Sequence, residues 1–372
     1  MNNLLRANGE APAAQAILQE RAPDAHQPAQ AVFRDRPSGK PPREGQAVRA
    51  GRYFLLQGDK TKGQKQREKP MRAQLLGFPT ALGMPRVVSE EGPAALRRIG
   101  LVQALEHVLE VTDLGDMFVI RPEAGEGVGR LLQKVIVTAR RQASVFAAAY
   151  TADSLPITLG GDHTTSLGTA LALAQLGLSF DVVWLDAHGD FNTPITSRSG
   201  NPHGMVLAIL AGLTPYLPQI VAPRRLHLWG VRDLDSGERS LLEALGVDVR
   251  DIAATRAGWP ALLRSLARNV LLSFDCDCCQ PDVAPGTMTP VPDGFERAEA
   301  LRVVQQLSES RRVLALDVVE LHPDRDRQSH TARLARDVVL TVAAAQSRYQ
   351  AATPAAGRLP STKSEPKRSS KL

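Results

Sequence analysis

Short apolar runs recur along this chain, and most are followed by a stretch with helical spacing. The clearest is Asp181-Val182-Val183-Trp184-Leu185, in which the four residues after Asp181 are all apolar and no polar face is left over. A strand that is apolar on both faces must be covered on both, as in a parallel sheet held between two helical layers. Similar strand patterns lie at 73–78, 155–159, 225–230, 269–276 and 312–319, with a short strand expected at 116–120. Helical spacing marks 128–150, 167–176, 205–213, 295–307 and 329–349. A further helix is predicted with Ser89 as N-cap, Pro93 in its first turn and Gly100 at its end. No internal repeat is present. The alternation predicts one α/β domain of three layers, a parallel sheet with helices on both faces, over residues 71–350.

The flanks differ from this body. Residues 1–70 are rich in Ala, Pro, Gln, Gly and charge, a composition that predicts disorder, with one short helix at 13–20. Residues 351–372 read as a flexible basic tail ending in Ser370-Lys371-Leu372. The chain's net charge is +6, but residues 1–70 carry +6 and residues 351–372 carry +4, leaving −4 on the body. A nucleic-acid-binding face would place basic residues on the folded body, so no nucleic-acid partner is expected. No apolar run is long enough to span a bilayer, so no membrane partner is expected either. The N-terminus lacks a charged-then-apolar leader pattern. The three cysteines sit together at Cys276, Cys278 and Cys279, which is no disulfide framework and fits a reducing compartment.

In such sheets the ligand site forms beyond the carboxyl ends of the strands. Here each strand end carries chemistry: His163, the run Asp186 to Asp190, Asp233 to Glu238, Asp275 with Asp277, and Glu320. In extended backbone, residues i, i+2 and i+4 share a face, so Asp186, His188 and Asp190 converge if that geometry persists to Asp190. Mixed oxygen and nitrogen donors suit a borderline divalent ion such as manganese, cobalt or zinc. Taken alone, the run also fits a solvated loop of turn-forming Asp residues. Asp275 and Asp277 again place two carboxylates on one face. With His163 they complete a set of four carboxylates and two imidazoles, which is what a pair of metals about 3.5–4 Å apart requires.

These residues carry a resemblance. Gly160-Gly161-Asp162-His163-Thr164, Asp186-Ala187-His188-Gly189-Asp190-Phe191-Asn192-Thr193-Pro194, Ser199-Gly200-Asn201-Pro202-His203-Gly204, Gly230-Val231-Arg232-Asp233-Leu234-Asp235-Ser236-Gly237-Glu238, Ser273-Phe274-Asp275-Cys276-Asp277 and Leu316-Asp317-Val318-Val319-Glu320 occur in this order across roughly 72–345. The chain thereby resembles the arginase family of ureohydrolases, binuclear manganese enzymes with an arginase/deacetylase-like fold. The resemblance implies two Mn²⁺ ions, with Co²⁺ or another divalent ion as a substitute. It implies that His163, Asp186, Asp190 and Asp275 hold one ion, and Asp186, His188, Asp275 and Asp277 the other. A hydroxide between them would attack the guanidinium carbon of L-arginine, giving L-ornithine and urea. Glu320 would receive the guanidinium, Asp190 would pass a proton to the leaving amine, and His203 would shuttle protons to solvent. A lone His at position 203 would otherwise read as structural. Asn192, Ser197, Ser199 and Asn201 match positions that hold the α-carboxylate, and Asp235 and Glu238 those near the α-amino group. A homotrimer or homohexamer is implied as well.

The chain departs from the family pattern at Gln280, where Asp is usual, and at Met288, where a small residue is usual. The cysteines crowd the second acid pair and read as reduced filler, with a thiolate metal site as the sharper alternative. Arg198, in the substrate loop, is expected to alter access. Two other readings stand beside arginase: agmatinase or another guanidino-acid ureohydrolase, and an impaired arginase-like subunit with a structural or regulatory role. Ser370-Lys371-Leu372 predicts a peroxisome or glycosome in a eukaryotic host; in a bacterium the protein would be cytoplasmic.

Overall fold

In a computed structural model, residues 71–84 and 90–353 are described. The helix expected at 13–20, the Ser89 cap and the terminal Ser370-Lys371-Leu372 lie outside them. The strands are β1 (Arg72–Phe78), β2 (Glu110–Asp116), β3 (Ser154–Gly160), β4 (Asp181–Leu185), β5 (Leu226–Trp229), β6 (Asp248–Arg250), β7 (Asn269–Asp275) and β8 (Arg312–Val319). The α-helices are α1 (Gly92–Arg98), α2 (Leu101–Glu106), α3 (Val128–Ala149), α4 (Thr165–Gln175), α5 (Val206–Leu210), α6 (Ser236–Ala244), α7 (Ile252–Ser265), α8 (Arg297–Ser310) and α9 (His330–Ala352). The strands form one parallel sheet in the order β2-β1-β3-β8-β7-β4-β5-β6.

The two faces of β4 explain the three layers. Val183 and Leu185 point into one apolar core, shared with Leu96 of α1, Leu262 of α7, Val304 of α8 and Val338 of α9. Val182 and Trp184 point into the other, shared with Leu132 of α3, Leu167 of α4, Leu207 of α5 and Leu241 of α6. All four strand residues are buried, so the period of two is invisible in their polarity although it governs where each packs. No described helix is long and apolar enough to cross a membrane.

Several expectations shift. The short strand is Glu110–Asp116, immediately before the predicted 116–120. Among the described residues it is an edge strand paired only with β1, and Glu110, Thr112, Asp113, Leu114 and Asp116 are exposed, so no apolar pattern announces it. Strand β6 and helix α7 were not anticipated. The predicted helix at 205–213 is shorter: a 3₁₀ turn (Pro202–Met205) leads into α5. Helix α1 begins after Glu91, with Pro93 in its first turn as expected.

Candidate metal centre and substrate cavity

The carboxyl ends of β3, β4, β7 and β8 lie side by side in the sheet, and each delivers side chains to one buried spot. His163 follows β3 after a turn through Gly160 and Gly161. A Cβ at Gly161 would come within 2.1 Å of the Thr80 carbonyl oxygen, so only glycine lets the chain pass there. Beyond β4 the extended geometry does not persist. His188 still bridges to Asp233, continuing the β4–β5 pairing, but Asp190 turns into the left-handed region at φ 46°. That turn, rather than the alternation, aims Asp190 back at His163. The Asp190 carbonyl accepts the Leu207 amide at 2.9 Å, which ties the turn to α5. Such a conformation in a non-glycine residue costs about 1–3 kcal/mol and persists only where the surroundings impose it.

Two groups of donor atoms result. His163 Nδ1 lies 3.1 Å from one carboxylate oxygen each of Asp186, Asp190 and Asp275. His188 Nδ1 lies 3.3 Å from Asp186 Oδ1 and 3.3 Å from Asp277 Oδ2. Potential ligand atoms of His163, Asp186 and Asp190 cluster tightly, as do those of Asp186, His188 and Asp277, so Asp186 belongs to both groups. His163 Nδ1 is buried and makes no hydrogen bond, although its other nitrogen, Nε2, bonds the Ser273 hydroxyl at 2.8 Å. With Nε2–H donating to Ser273, the Nδ1 lone pair faces three carboxylates with nothing to satisfy it. That arrangement fits a cation.

The electrostatics agree. Burial disfavours a charged imidazole, yet the three carboxylates raise the His163 pKa well above its ordinary value. Burial likewise disfavours ionised Asp186, yet His163 and His188 hold it below the usual carboxylate range. Burial and the neighbouring acids push Asp275 well up. A buried group of carboxylates that strains to gather positive charge suits divalent ions with nitrogen and oxygen ligands.

Residues outside the predicted set hold these donors in place. Trp184 Nε1 donates to Asp186 Oδ2 at 2.9 Å, and the indole stacks on the His163 ring at 3.8 Å between centroids. Thr289 donates to Asp277 Oδ2 at 2.9 Å. Ser273, which bonds His163, is 3.0 Å from Ser166. Asp317, whose pKa burial pushes up to about 6, accepts from Thr169 at 2.7 Å. Arg232 donates to backbone carbonyls at Asp277, Cys278, Cys279, Val291 and Pro292, clamping the turn after β7. The three cysteines are free, buried and part of the apolar core, and burial pushes the Cys276 and Cys278 thiols well up, which disfavours thiolates there.

Glu320 closes β8, also in the left-handed region at φ 58°. Its Oε1 accepts the His163 amide at 2.9 Å and bonds His203 Nδ1 at 3.1 Å, while Oε2 bonds His322 Nε2 at 3.0 Å. Burial would raise the Glu320 pKa, but His203 and His322 hold it below the carboxylate range. Burial would lower His203, but Glu320 and neighbouring acids push it up to about 9. His322 was not anticipated. It is buried beside the carboxylate, with Nε2 on Glu320 and, among the described residues, no hydrogen-bond partner at Nδ1.

Above the donors opens a cavity of about 250 Å³. Its walls include Asp190, His203, Asn192, Ser199, Asn201, Asp235 and Glu238, whereas Ser197 and Glu320 lie outside the lining. Ser197 supports the loop instead, accepting the Gly200 amide at 3.0 Å. Glu320 sits behind His203. The Asn192 amide reaches Asp235 Oδ2 at 3.3 Å and its carbonyl accepts from Thr196 at 2.9 Å. Asp235 and Glu238 form the capping box of α6. Glu238 also accepts the Phe191 amide at 2.8 Å, and burial pushes its pKa up to about 8.

Comparison with known proteins adds the family context. The model of the Arginase family matches residues 71–345. An arginase of Brevibacillus brevis is 34% identical over 280 residues, covering 70% of this chain and 94% of that protein. The solved arginase of Entamoeba histolytica, in complex with L-ornithine, superposes with a TM-score of 0.68 at 27% identity, covering 74% of this chain and 99% of that one. A hypothetical agmatinase from Burkholderia thailandensis superposes with a TM-score of 0.60 at 25% identity, covering 76% of this chain and 88% of that one.

Proposed function

The chain belongs to the arginase family of metal-dependent hydrolases acting on amidino or guanidino bonds, and from that premise we propose that it hydrolyses L-arginine to L-ornithine and urea. The observation that carries the reading is the buried pair of donor groups opening on a cavity with amide and hydroxyl groups at Asn192, Ser199 and Asn201 and carboxyl groups at Asp235 and Glu238. Those two kinds of lining suit the α-carboxylate and α-ammonium of an amino acid. A site built to bond such groups discriminates against compounds lacking them.

His163, Asp186, Asp190 and Asp275 would hold one Mn²⁺, and Asp186, His188, Asp275 and Asp277 a second. Four carboxylates match the charge of two divalent cations. When bound, the cations supply Lewis acidity that makes water a competent nucleophile near neutral pH. From behind His203, the Glu320 carboxylate draws the guanidinium inward by its charge. The water oxygen bonds to the guanidinium carbon, and the bond from that carbon to the chain nitrogen breaks. Asp190 takes a proton from that water and delivers it to the departing nitrogen. His203 lines the cavity, holds Glu320 through Nδ1, and shuttles protons between the cavity and solvent through its other nitrogen. Asn192, Ser199 and Asn201, with Ser197 beneath them, grip the carboxylate.

Agmatine, which has no carboxylate, or a guanidino acid is the competing substrate, the former favoured by the agmatinase-like neighbour. Urea release from arginine, agmatine and guanidino acids by Mn²⁺-loaded protein decides between them. Release from agmatine but not from arginine ends the arginine reading. Metal analysis of the same sample reads the ion count. Fewer than about two ions per chain, together with no turnover, supports a structural or regulatory subunit instead. A trimer or hexamer is proposed from family membership, and light scattering after size exclusion measures it.

A further inference from the structure

The cavity is lined by Asp190, Asp233, Asp235, Glu238 and Asp275, and none of its lining residues is Lys or Arg. Asp190 and Asp275 are offset by the proposed metal ions and burial disfavours charge on Glu238, but Asp233 and Asp235 remain to attract a cation at the outer wall. It favours a dication such as agmatine over a guanidino compound that ends in a carboxylate. One cation stands at its rim. Arg198 precedes Ser199, which lines the cavity, and its Nε lies 3.3 Å from Asp235 Oδ1. The Arg198 side chain is 77% exposed and that of Asp235 is 29% exposed. An exposed pair of this kind is loosely held and readily exchanged.

We infer that Arg198 is a specificity-determining residue that selects substrates bearing a carboxylate at the end remote from the guanidinium. The inference rests on reading the cavity as a guanidino-substrate site. Two effects act together. While paired with Arg198, Asp235 is less available to a second substrate cation, so a terminal ammonium without a neighbouring carboxylate meets competition. The same guanidinium offers a planar fork to a carboxylate seated near Ser199 and Asn201. An amino acid satisfies both partners by exchange: its carboxylate takes Arg198 and its ammonium takes Asp235. Agmatine can only displace Arg198 and leaves it unpaired.

The test uses the full Mn²⁺-loaded chain, wild type, Arg198→Ala and Arg198→Lys, with L-arginine, 4-guanidinobutyrate and agmatine. Arg198→Ala is expected to raise KM for arginine and 4-guanidinobutyrate about three- to ten-fold with kcat kept, and to lower KM for agmatine. The arginine-to-agmatine ratio of kcat/KM then falls about ten-fold. Arg198→Lys restores part of the loss, because its charge remains but its fork does not. The wild-type advantage for arginine shrinks as salt is raised. An unchanged ratio, or an equal loss for all three compounds, overturns the inference while leaving an arginine-hydrolysing wild type intact. A wild type that uses 4-guanidinobutyrate but not arginine overturns the proposed substrate, and Arg198 is then judged on the ratio of 4-guanidinobutyrate to agmatine. A wild type that uses agmatine alone overturns both. If none is hydrolysed, calorimetric titration of L-ornithine and putrescine into the loaded proteins reads the same preference, and equal changes for both ligands overturn the role of Arg198.

Discussion

Trp184 offers a sharp test of how the metal donors are held. Its indole N–H donates to Asp186, the carboxylate common to both donor groups, while its ring face stacks on His163. Trp184→Phe keeps a ring for the stack and removes the donor. A hydrogen bond to a charged group contributes about 1.5–3 kcal/mol when its acceptor is left buried. The indole atoms lost with it also cost packing, and Trp229 supplies the control for that. Trp229 is equally buried, stands beside Leu185 in the neighbouring strand β5, and its Nε1 has no hydrogen-bond partner. Trp229→Phe therefore removes the same atoms without removing a bond. The metal-free Trp184→Phe protein is expected to be about 1.5–3 kcal/mol less stable than the metal-free Trp229→Phe protein by denaturant titration. Loss of a group that orients a metal ligand typically weakens metal binding about 10–100-fold, or about 1.4–2.8 kcal/mol. Calorimetric titration of Mn²⁺ into chelator-stripped protein should therefore show that loss for Trp184→Phe and near wild-type affinity for Trp229→Phe. If the two variants match in both measurements, the indole N–H does not hold Asp186.

Three further expectations follow from named contacts. His322→Leu removes a buried donor from Glu320 and should lower kcat/KM for the guanidino substrate about 10–100-fold with metal content kept; His322→Gln should recover part of it, and equal activity in both variants would refute a positioning role. Chelator stripping leaves Asp186, Asp190, Asp275 and Asp277 crowded without countercharge, so the melting temperature should fall and recover on adding Mn²⁺, by about 2.7 kcal/mol at a hundred times Kd; an unchanged melt after verified stripping would contradict this. His227 is buried between Asp181 and Asp248, and although burial disfavours its charge, those acids raise its pKa above 6.5. Its folded pKa is the higher one, so its stabilisation is complete below about pH 6.5 and is lost as pH rises through the folded value. The stability gap between wild type and His227→Gln should thus narrow from pH 6 to pH 9, and a gap that widens would reverse the assignment.

Much of the fold was legible because the apolar runs are long enough to report burial. β4 and β8 begin and end where their patterns do. β2 was displaced because most of its residues face solvent, so propensity had nothing to amplify. At the site, the donor types and their positions at strand ends were legible, but the route by which they meet was not. Alternation puts Asp190 on the shared face only where extended backbone persists, and it does not; Asp190 meets His163 from a left-handed turn. His322 and Trp184 went unnoticed because each reads locally as an ordinary turn or core residue. Their roles exist only through Glu320 and through Asp186 with His163.

By itself, then, the sequence determined which side chains stand at the strand ends and which strands must be buried, since both are local properties written in residue type and period. Only the tertiary structure decided which of them meet. His163 and Asp275 are brought together because β3, β8, β7 and β4 are neighbours in the sheet, and Arg198 reaches Asp235 because the loop after β4 folds over the start of α6. Strand order and loop closure are paid for by the whole core, so no local stretch encodes them.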